Sequence, residues 1–444
     1  QELRGHYTHN KLIVSTALSY VDEGNQRSSA FSADEGSYLM CVPVARNGLA
    51  PLFNQFASSN PRIAALAAVL DPINGLPCTN ADGSVNSLSP LATGGTRQSL
   101  PYFALLEDFG NNTTRSALVD IGYDISERLH IDAGARYVSE DRSSAYRAIS
   151  PPATLLLNLR PLLSVGDTGG QTFKDSSKDD DVLVRVNARY EWRDQHYAYA
   201  SYSQGRRSVV VDINSTVDAN GQAIITNAII PAERMENFEL GLKGQTPALR
   251  YSAALYYQRY QAFQVGFLDG AGIFRVANAG DTNNAGAELS AQWQLNDTFG
   301  LFSHVNIFDH TLDNNASNGV FGGNTLENSS ENTATLGFTI NHTVNEKQLS
   351  LNVYGHYRSE FATDPVRQPI DPVSGLSLVQ SGFTVFNSSL ALTRPNDWSV
   401  SLWINNLTDK QYLSDISDVG ANLGMPTYQA AEPRTWGISV TLER

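Results

Sequence analysis

Reactive side chains are few in this chain and widely scattered. Only two cysteines occur, Cys41 and Cys78, both inside one long polar segment. An even cysteine count in an exported segment predicts one disulfide, here closing a loop of about 36 residues. Four of the eight histidines, His130, His196, His304 and His356, fall in strand-like stretches, where lining a polar face is the commoner role than holding a metal. No G-x-S-x-G elbow, His-x-x-x-His pair or glycine-rich phosphate loop is present, so the chain offers none of the arrangements that activate a nucleophile or cradle a phosphate. No catalytic residue, cofactor or metal ligand is therefore assigned. The acidic run at 179–181 has the oxygen ligands calcium takes, but three acids in a row read first as a solvated strand entrance.

The charged residues instead recur at every second position. Val182, Val184, Val186, Ala188, Tyr190 and Trp192 alternate with Leu183, Arg185, Asn187, Arg189 and Glu191, and a period of two is a strand with one apolar and one polar side. The same split separates Leu289, Ala291, Trp293 and Leu295 from Glu288, Ser290, Gln292 and Gln294. It separates Ala334, Leu336, Phe338 and Ile340 from Thr333, Thr335, Gly337 and Thr339. Carried strand by strand, this parity puts Arg136, Arg185, Arg189, Glu239 and Lys243 on the polar side, with Glu288, His356 and Arg358. Such mixed signs suit an interior that has to pair its charges. A soluble sandwich would alternate in the same way, so the pattern by itself leaves that fold open.

The connections decide between them. Short turns fall at Asn10 and at 126–128, 193–195, 244–248, 296–300, 344–346 and 394–397. Between them lie long polar segments at 25–110, 142–181, 205–233, 312–331, 360–381 and 411–431, with a shorter one near 266–273. Short and long connections taking turns is the signature of a transmembrane antiparallel β-barrel, with one rim in the periplasm and the other outside. Trp192, Trp293 and Trp398 each sit close to a short turn, with Tyr123 and Phe299 alongside, where rings with a polar edge settle at the lipid headgroups. The predicted fold is all-β, with about 15 strands and long extracellular loops. The segment 25–110 is read as a long outer loop holding a short Pro-initiated helix at 63–70, and a loop of that length points to a functional element. No apolar run approaches the roughly 18 residues of a membrane helix. A net charge of −14 argues against nucleic acid as a partner, because phosphate backbones are held by an excess of Lys and Arg.

Four motifs carry a resemblance. They are E-R-M-E-N-F-E-L-G-L-K at 233–243, V-A-N-A-G at 276–280 followed by G-A-E-L at 286–289, N-L-T-D-K-Q-Y at 406–412 and P-R-T-W-G at 433–437. In this order, and at barrel spacing, they resemble the barrel of TonB-dependent outer-membrane receptors. The resemblance covers essentially the whole chain, although residues 1–110 match by pattern more than by motif. It implies energised import through the bacterial outer membrane: a small-molecule ligand binds outside, and a plug inside the barrel rearranges when TonB–ExbB–ExbD pulls on it.

Two features depart from that pattern. About 15 strands are legible where such transporters have about 22, and residues 1–444 hold no plug, so the chain reads as a partial barrel. The first and last strands both run toward the periplasm and cannot pair antiparallel with each other. Plug and further strands are expected as partners, from the same precursor or from a second chain, along with outer-membrane lipid and lipopolysaccharide. The second departure is the C-terminal Arg444, where an aromatic residue is common. Ligand contacts are expected in the loops, around Arg206, Arg207, Tyr257, Tyr260, Phe263 and Tyr428. The ligand classes considered are a siderophore, a cobalamin-like molecule and a glycan. The alternatives to a receptor are a passive porin-like channel and a structural barrel component of a surface assembly.

Overall fold

The computed structural model describes residues 1–34, 101–150, 166–217, 223–268, 274–309, 311–362, 379–395, 397–417 and 427–442. Fifteen strands form one antiparallel sheet in strict chain order. They are β1 (Glu2–His9), β2 (Leu12–Asp34), β3 (Pro101–Asp124), β4 (Leu129–Ile149), β5 (Phe173–Arg193), β6 (His196–Arg207), β7 (Glu233–Gln245) and β8 (Leu249–Gln261). The wall continues with β9 (Thr282–Gln294), β10 (Phe299–Phe308), β11 (Asn332–Val344), β12 (Lys347–Arg358), β13 (Phe383–Arg394), β14 (Trp398–Asn405) and β15 (Thr435–Leu442). The strand count and all seven short turns read from the sequence are present. At the turn between β11 and β12, Asn345 and Glu346 both have positive φ (47° and 65°), the twist that lets a two-residue turn join right-twisted strands.

The two faces follow the parity. Leu240, Leu255, Leu289 and Leu336 are 60%, 62%, 53% and 59% exposed on one face, whereas the other carries the charged residues. That is the reverse of a water-soluble sheet, and it fits a wall whose outer solvent is lipid. On the polar face, aromatic rings lie over glycines of the neighbouring strand: Tyr199 over Gly241, Tyr256 over Gly286 and Trp403 over Gly437, where an added Cβ would collide with the ring. Glycine here makes room for a large side chain lying flat along the wall. Among the described residues no helix is long and apolar enough to cross a membrane, which says nothing of strands.

The wall differs from the sequence reading in its height. Residues 25–34 and 101–110 belong to the ladder, which runs from Leu12↔Tyr123 to Asp34↔Pro101, and the β4–β5 ladder continues to Tyr146↔Phe173. Far above the short turns 25–34 and 173–181 are rich in polar residues on both faces, so alternation fades there although the backbone pairing persists; 101–110 stays largely apolar, with Leu106 packed on the Tyr146 cluster. The outer loop is correspondingly shorter than 25–110, and the connection expected over 142–181 is shorter too. Cys41, Cys78 and the helix expected at 63–70 lie outside the described residues.

Four small ribbons crown the wall: Val210–Val217 with Ala223–Ile230, Gln264–Leu268 with Phe274–Asn278, Phe361–Ala362 with Val379–Gln380, and Leu413–Ser417 with Thr427–Ala430. Two compact apolar clusters hold down the first two of them. Val209, Val211 and Ile213 pack on Tyr146 and Ala148 of β4, and Val265, Ala279, Leu312 and Phe321 form the second. Within the first cluster Tyr146 Oη and Ser215 Oγ are 2.9 Å apart, and Ser215 Oγ donates to the Gly166 carbonyl at 2.7 Å. Burial raises the Tyr146 phenol above its ordinary pKa. Burial likewise raises Asp108, the residue opposite Tyr146, with Arg27 opposing and Asp212 reinforcing the shift.

At its two sides the sheet is open. β1 pairs with β2 and β15 with β14, and among the described residues neither edge has a second partner.

Candidate functional site

Because side chains two apart share a face, the ladders set the inward residues into cross-strand rows. Arg185 donates from Nε to Asp120 Oδ2 at 2.7 Å, and Asn187 Nδ2 to Asp132 Oδ2 at 2.9 Å. Arg136 Nη2 donates to Ser116 Oγ at 3.2 Å. Arg189 places its guanidinium carbon 5.4 Å from the Tyr197 ring centre. The Tyr199 hydroxyl donates to Glu239, and Lys243 Nζ lies 4.8 Å from the same ring. Further round, His356 Nδ1 is 2.9 Å from Thr335 Oγ1, and Arg358 reaches Ser330 Oγ at 3.1 Å and the Asn328 carbonyl at 2.8 Å. Glu288 faces Ala254 on this side of the wall. All eight residues assigned to the polar side thus lie on strands of the wall.

At the outer rim β5 and β6 part. Their pairing stops at Arg185↔Ser203, whereas β6 stays paired with β7 to Arg207↔Glu233. Side chains bridge the gap: Val184 N donates to Gln204 Oε1 at 3.2 Å, and Arg234 Nε lies 2.9 Å from Asp181 Oδ2. Arg206, 5% exposed, donates from Nη2 to Glu140 Oε2 at 3.0 Å and Asp179 Oδ2 at 2.5 Å. The run 179–181 is therefore no free strand entrance, since Asp179 and Asp181 each hold an arginine. Among the described residues no cluster of three or more potential metal ligands occurs.

The residues expected around a ligand are only partly brought together. Arg207 Nη1 donates to the Gln264 carbonyl at 3.0 Å, Tyr260 meets Phe263 edge to face with ring centres 5.3 Å apart, and Phe263 packs on the second cluster. These three converge on the base of the ribbon Gln264–Leu268. Gln264 is the residue the sequence reading missed there. It is 2% exposed, its backbone N–H donates to Glu233 Oε2 at 2.7 Å, and its side-chain amide donates to the carbonyls of Ser208 and Pro231. Arg206 is engaged below, with the β4 and β5 carboxylates. Tyr257 shares its parity with Leu255 and stands on the apolar face, with its hydroxyl donating to Asn283 Oδ1 at 2.9 Å. Tyr428 belongs to a separate ribbon, opposite Ile416.

The two C-terminal motifs make one corner. Asn406, 3% exposed and at φ 50°, donates to the carbonyls of Lys410 and Glu432 and accepts from Lys410 N. Asp409 Oδ1 accepts from Arg434 N at 3.1 Å. A short side chain that tolerates positive φ and bonds backbone on both sides is what Asn and Asp provide.

A fifteen-stranded wall of this polarity defines a membrane β-barrel, and the sequence comparison names its class. The chain belongs to the family described as TonB dependent receptor-like, beta-barrel, which matches residues 65–407. The same fold is found in the ferric yersiniabactin uptake receptor of Yersinia pestis (16% identity, TM-score 0.60, covering 99% of this chain and 60% of that one). It is found in the siderophore receptor PiuA of Acinetobacter baumannii (14%, 0.59, 99% and 54%). The closed form of the ferric-catecholate import receptor of E. coli K12 is a third case (14%, 0.60, 99% and 53%). At these identities the likeness is one of fold. The chain spans between 53% and 60% of these three structures. No curated protein matches the chain.

Proposed function

We propose that this chain is the larger part of the barrel of a TonB-dependent outer-membrane receptor that imports a scarce solute, with a ferric siderophore or similar metal chelate as the favoured class. Cobalamin-like molecules and glycans are the other candidates. The observation that carries the reading is the polarity of the wall: leucines exposed on one face and paired charges on the other. A wide barrel with such a lining would be an open hole unless something filled it. A plug domain in the lumen, held by residues such as Arg136, Glu239, Glu288 and Arg358, fits that need. The open edges of β1 and β15 support further strands completing the wall, because unpaired backbone groups facing lipid cost several kcal/mol each. TonB–ExbB–ExbD would act on the plug, and lipopolysaccharide would surround the outer rim. The fold shared with siderophore receptors favours the metal-chelate class.

Two measurements test this. Cells carrying the complete receptor should take up labelled ferric chelate only when TonB and the proton gradient are both present. In planar bilayers the complete protein should be silent. Stable open channels in the native state, with uptake indifferent to TonB, would establish the porin-like alternative instead.

A further inference from the structure

The polar face changes sign along its height. Across β6, β7, β8 and β9 the ladders align Ser201, Glu239, Tyr256 and Gly286 in one row, and Tyr199, Gly241, Ala254 and Glu288 in the next toward the short turns. Both rows contain an acid. The row below is Tyr197, Lys243, Ser252 and Ser290, and the last is Gln245, Arg250 and Gln292. These two rows contain two cations, hydroxyls and amides, and no carboxylate. With Gln195, Gly244 and Tyr251 they line a concavity of about 540 Å³, the size of a small-molecule site.

Neither cation is neutralised by a described residue. Lys243 is held by the Tyr199 ring rather than by an acid. Arg250 donates from Nε and Nη2 to Gln245 Oε1 at 3.3 and 3.0 Å, which orients the guanidinium and leaves its charge intact. Arg189, on the far side of Tyr197, adds a third positive group over that ring. Two carboxylates border the shelf: Glu191, opposite Tyr197, accepts from Gln195 N at 2.9 Å, and Glu239 accepts from the Tyr199 hydroxyl. Lys243 and Arg250 are diagonal cross-strand neighbours, because Lys243 faces Ser252, so their Cα atoms are about 7–8 Å apart. Both border the concavity together with Ser252 and Ser290, so four donor side chains face the same space. Arg185, higher on the same wall, is paired with Asp120, so the cations below are the ones that call for a counter-charge from outside the wall.

We propose that Lys243, Arg250, Ser252 and Ser290 form an anion-binding shelf at the short-turn end of the lumen, which takes a carboxylate or phosphate group of a small solute. Its place as the last stop on a transport path rests on the import reading above; the binding itself does not.

Isothermal titration of the complete receptor in detergent at low ionic strength tests it, with citrate and inorganic phosphate as probes. Saturable binding is expected, weakened at least tenfold by Lys243→Gln and by Arg250→Gln, and falling steeply with added salt. Lys347→Gln, whose cation sits 5.6 Å from the Trp398 ring centre, should leave binding unchanged. Heat modifiability of each variant checks that the barrel is intact. Absent binding to the wild type, or binding indifferent to both substitutions, overturns the proposal. So does a wild type that binds neither probe while both substitutions lower its thermal midpoint, because the shelf is then occupied by an acidic segment of the protein itself. Failed binding with TonB-dependent uptake intact removes the shelf and leaves the import reading standing; intact binding without such uptake does the reverse.

Discussion

At mid-height the wall turns Leu240, Leu255, Leu289 and Leu336 outward, each more than half exposed, whereas in the outer rim Val211, Ile213, Leu312 and Phe321 are all under 10% exposed. The same kinds of side chain are placed in opposite ways a few turns of ladder apart. The mid-wall has backbone hydrogen bonds and polar pairs but scarcely any apolar core, so its leucines gain by meeting lipid. The rim stands in water, and it builds small cores from ribbon to strand in the ordinary manner. Where the two regimes meet, β5 and β6 part and charged side chains bridge the gap. The solvent on each side, more than residue type, sets what stabilises each region.

The sharpest way to break this division is to cut the bridge. Arg206→Ala leaves Glu140 and Asp179, 10% and 27% exposed, without their shared cation. Stranding buried carboxylates costs about 3–5 kcal/mol, and the partial exposure of Asp179, with Arg142 Nε still 4.0 Å from Glu140 Oε2, puts the expected loss at or below the low end. Chemical unfolding in detergent should show it, and a triple variant with Arg206→Met, Glu140→Gln and Asp179→Asn should recover most of the loss. An unchanged midpoint for Arg206→Ala would mean that the bridge contributes nothing.

Next in size is a test of the solvent argument itself. Leu240→Arg should destabilise the protein in phospholipid vesicles by about 2–4 kcal/mol. Val320→Arg, at an apolar residue of the rim that is exposed still further (72% against 60%), should change stability by no more than about 0.5 kcal/mol. Equal costs for the two would erase the distinction between wall and rim.

The smallest effect is a pH dependence confined to the rim. Asp108 lies well above the short turns, and burial raises its carboxyl above the ordinary value, with Arg27 opposing and Asp212 adding to the rise. An acid raised in the folded state favours folding while it is protonated. Its contribution is complete below the unfolded value near 3.8 and is lost as pH climbs through the raised folded value. Hydrogen exchange, corrected for its intrinsic pH dependence, should therefore show Val210–Val217 better protected in acid than at neutrality, and Asp108→Asn should flatten the trend. A wall strand such as β9 should show no such change with that substitution.

Several of these features were legible beforehand. Val182 to Trp192 declared their two faces through a period of two, and turns such as Asn345-Glu346 were visible as breaks between alternating stretches. Tyr257 was legible too, because parity with Leu255 places it outward; treating the top of β8 as loop hid that. The pairing of Asp179 with Arg206 left no such mark. Its partners stand 27 residues apart on strands that separate just where they meet, and no local period encodes a contact made across a gap. The upper ladder from Asn25↔Gly110 to Asp34↔Pro101 left little mark for a related reason: 25–34 is rich in polar residues and resembles a loop, and its partner 101–110, although largely apolar, joins it only across about 65 intervening residues, 35–100.

By itself, then, the sequence determined the number of strands, their order, their short turns and which side of each meets lipid, because all of these rest on neighbours one to four residues apart. Only the tertiary structure decided what the rim would become. The packing of Ile213 against Tyr146 and the convergence of Arg207 and Gln264 join side chains from different hairpins. Their positions depend on the stagger of whole strands against one another, a quantity no stretch of residues carries alone.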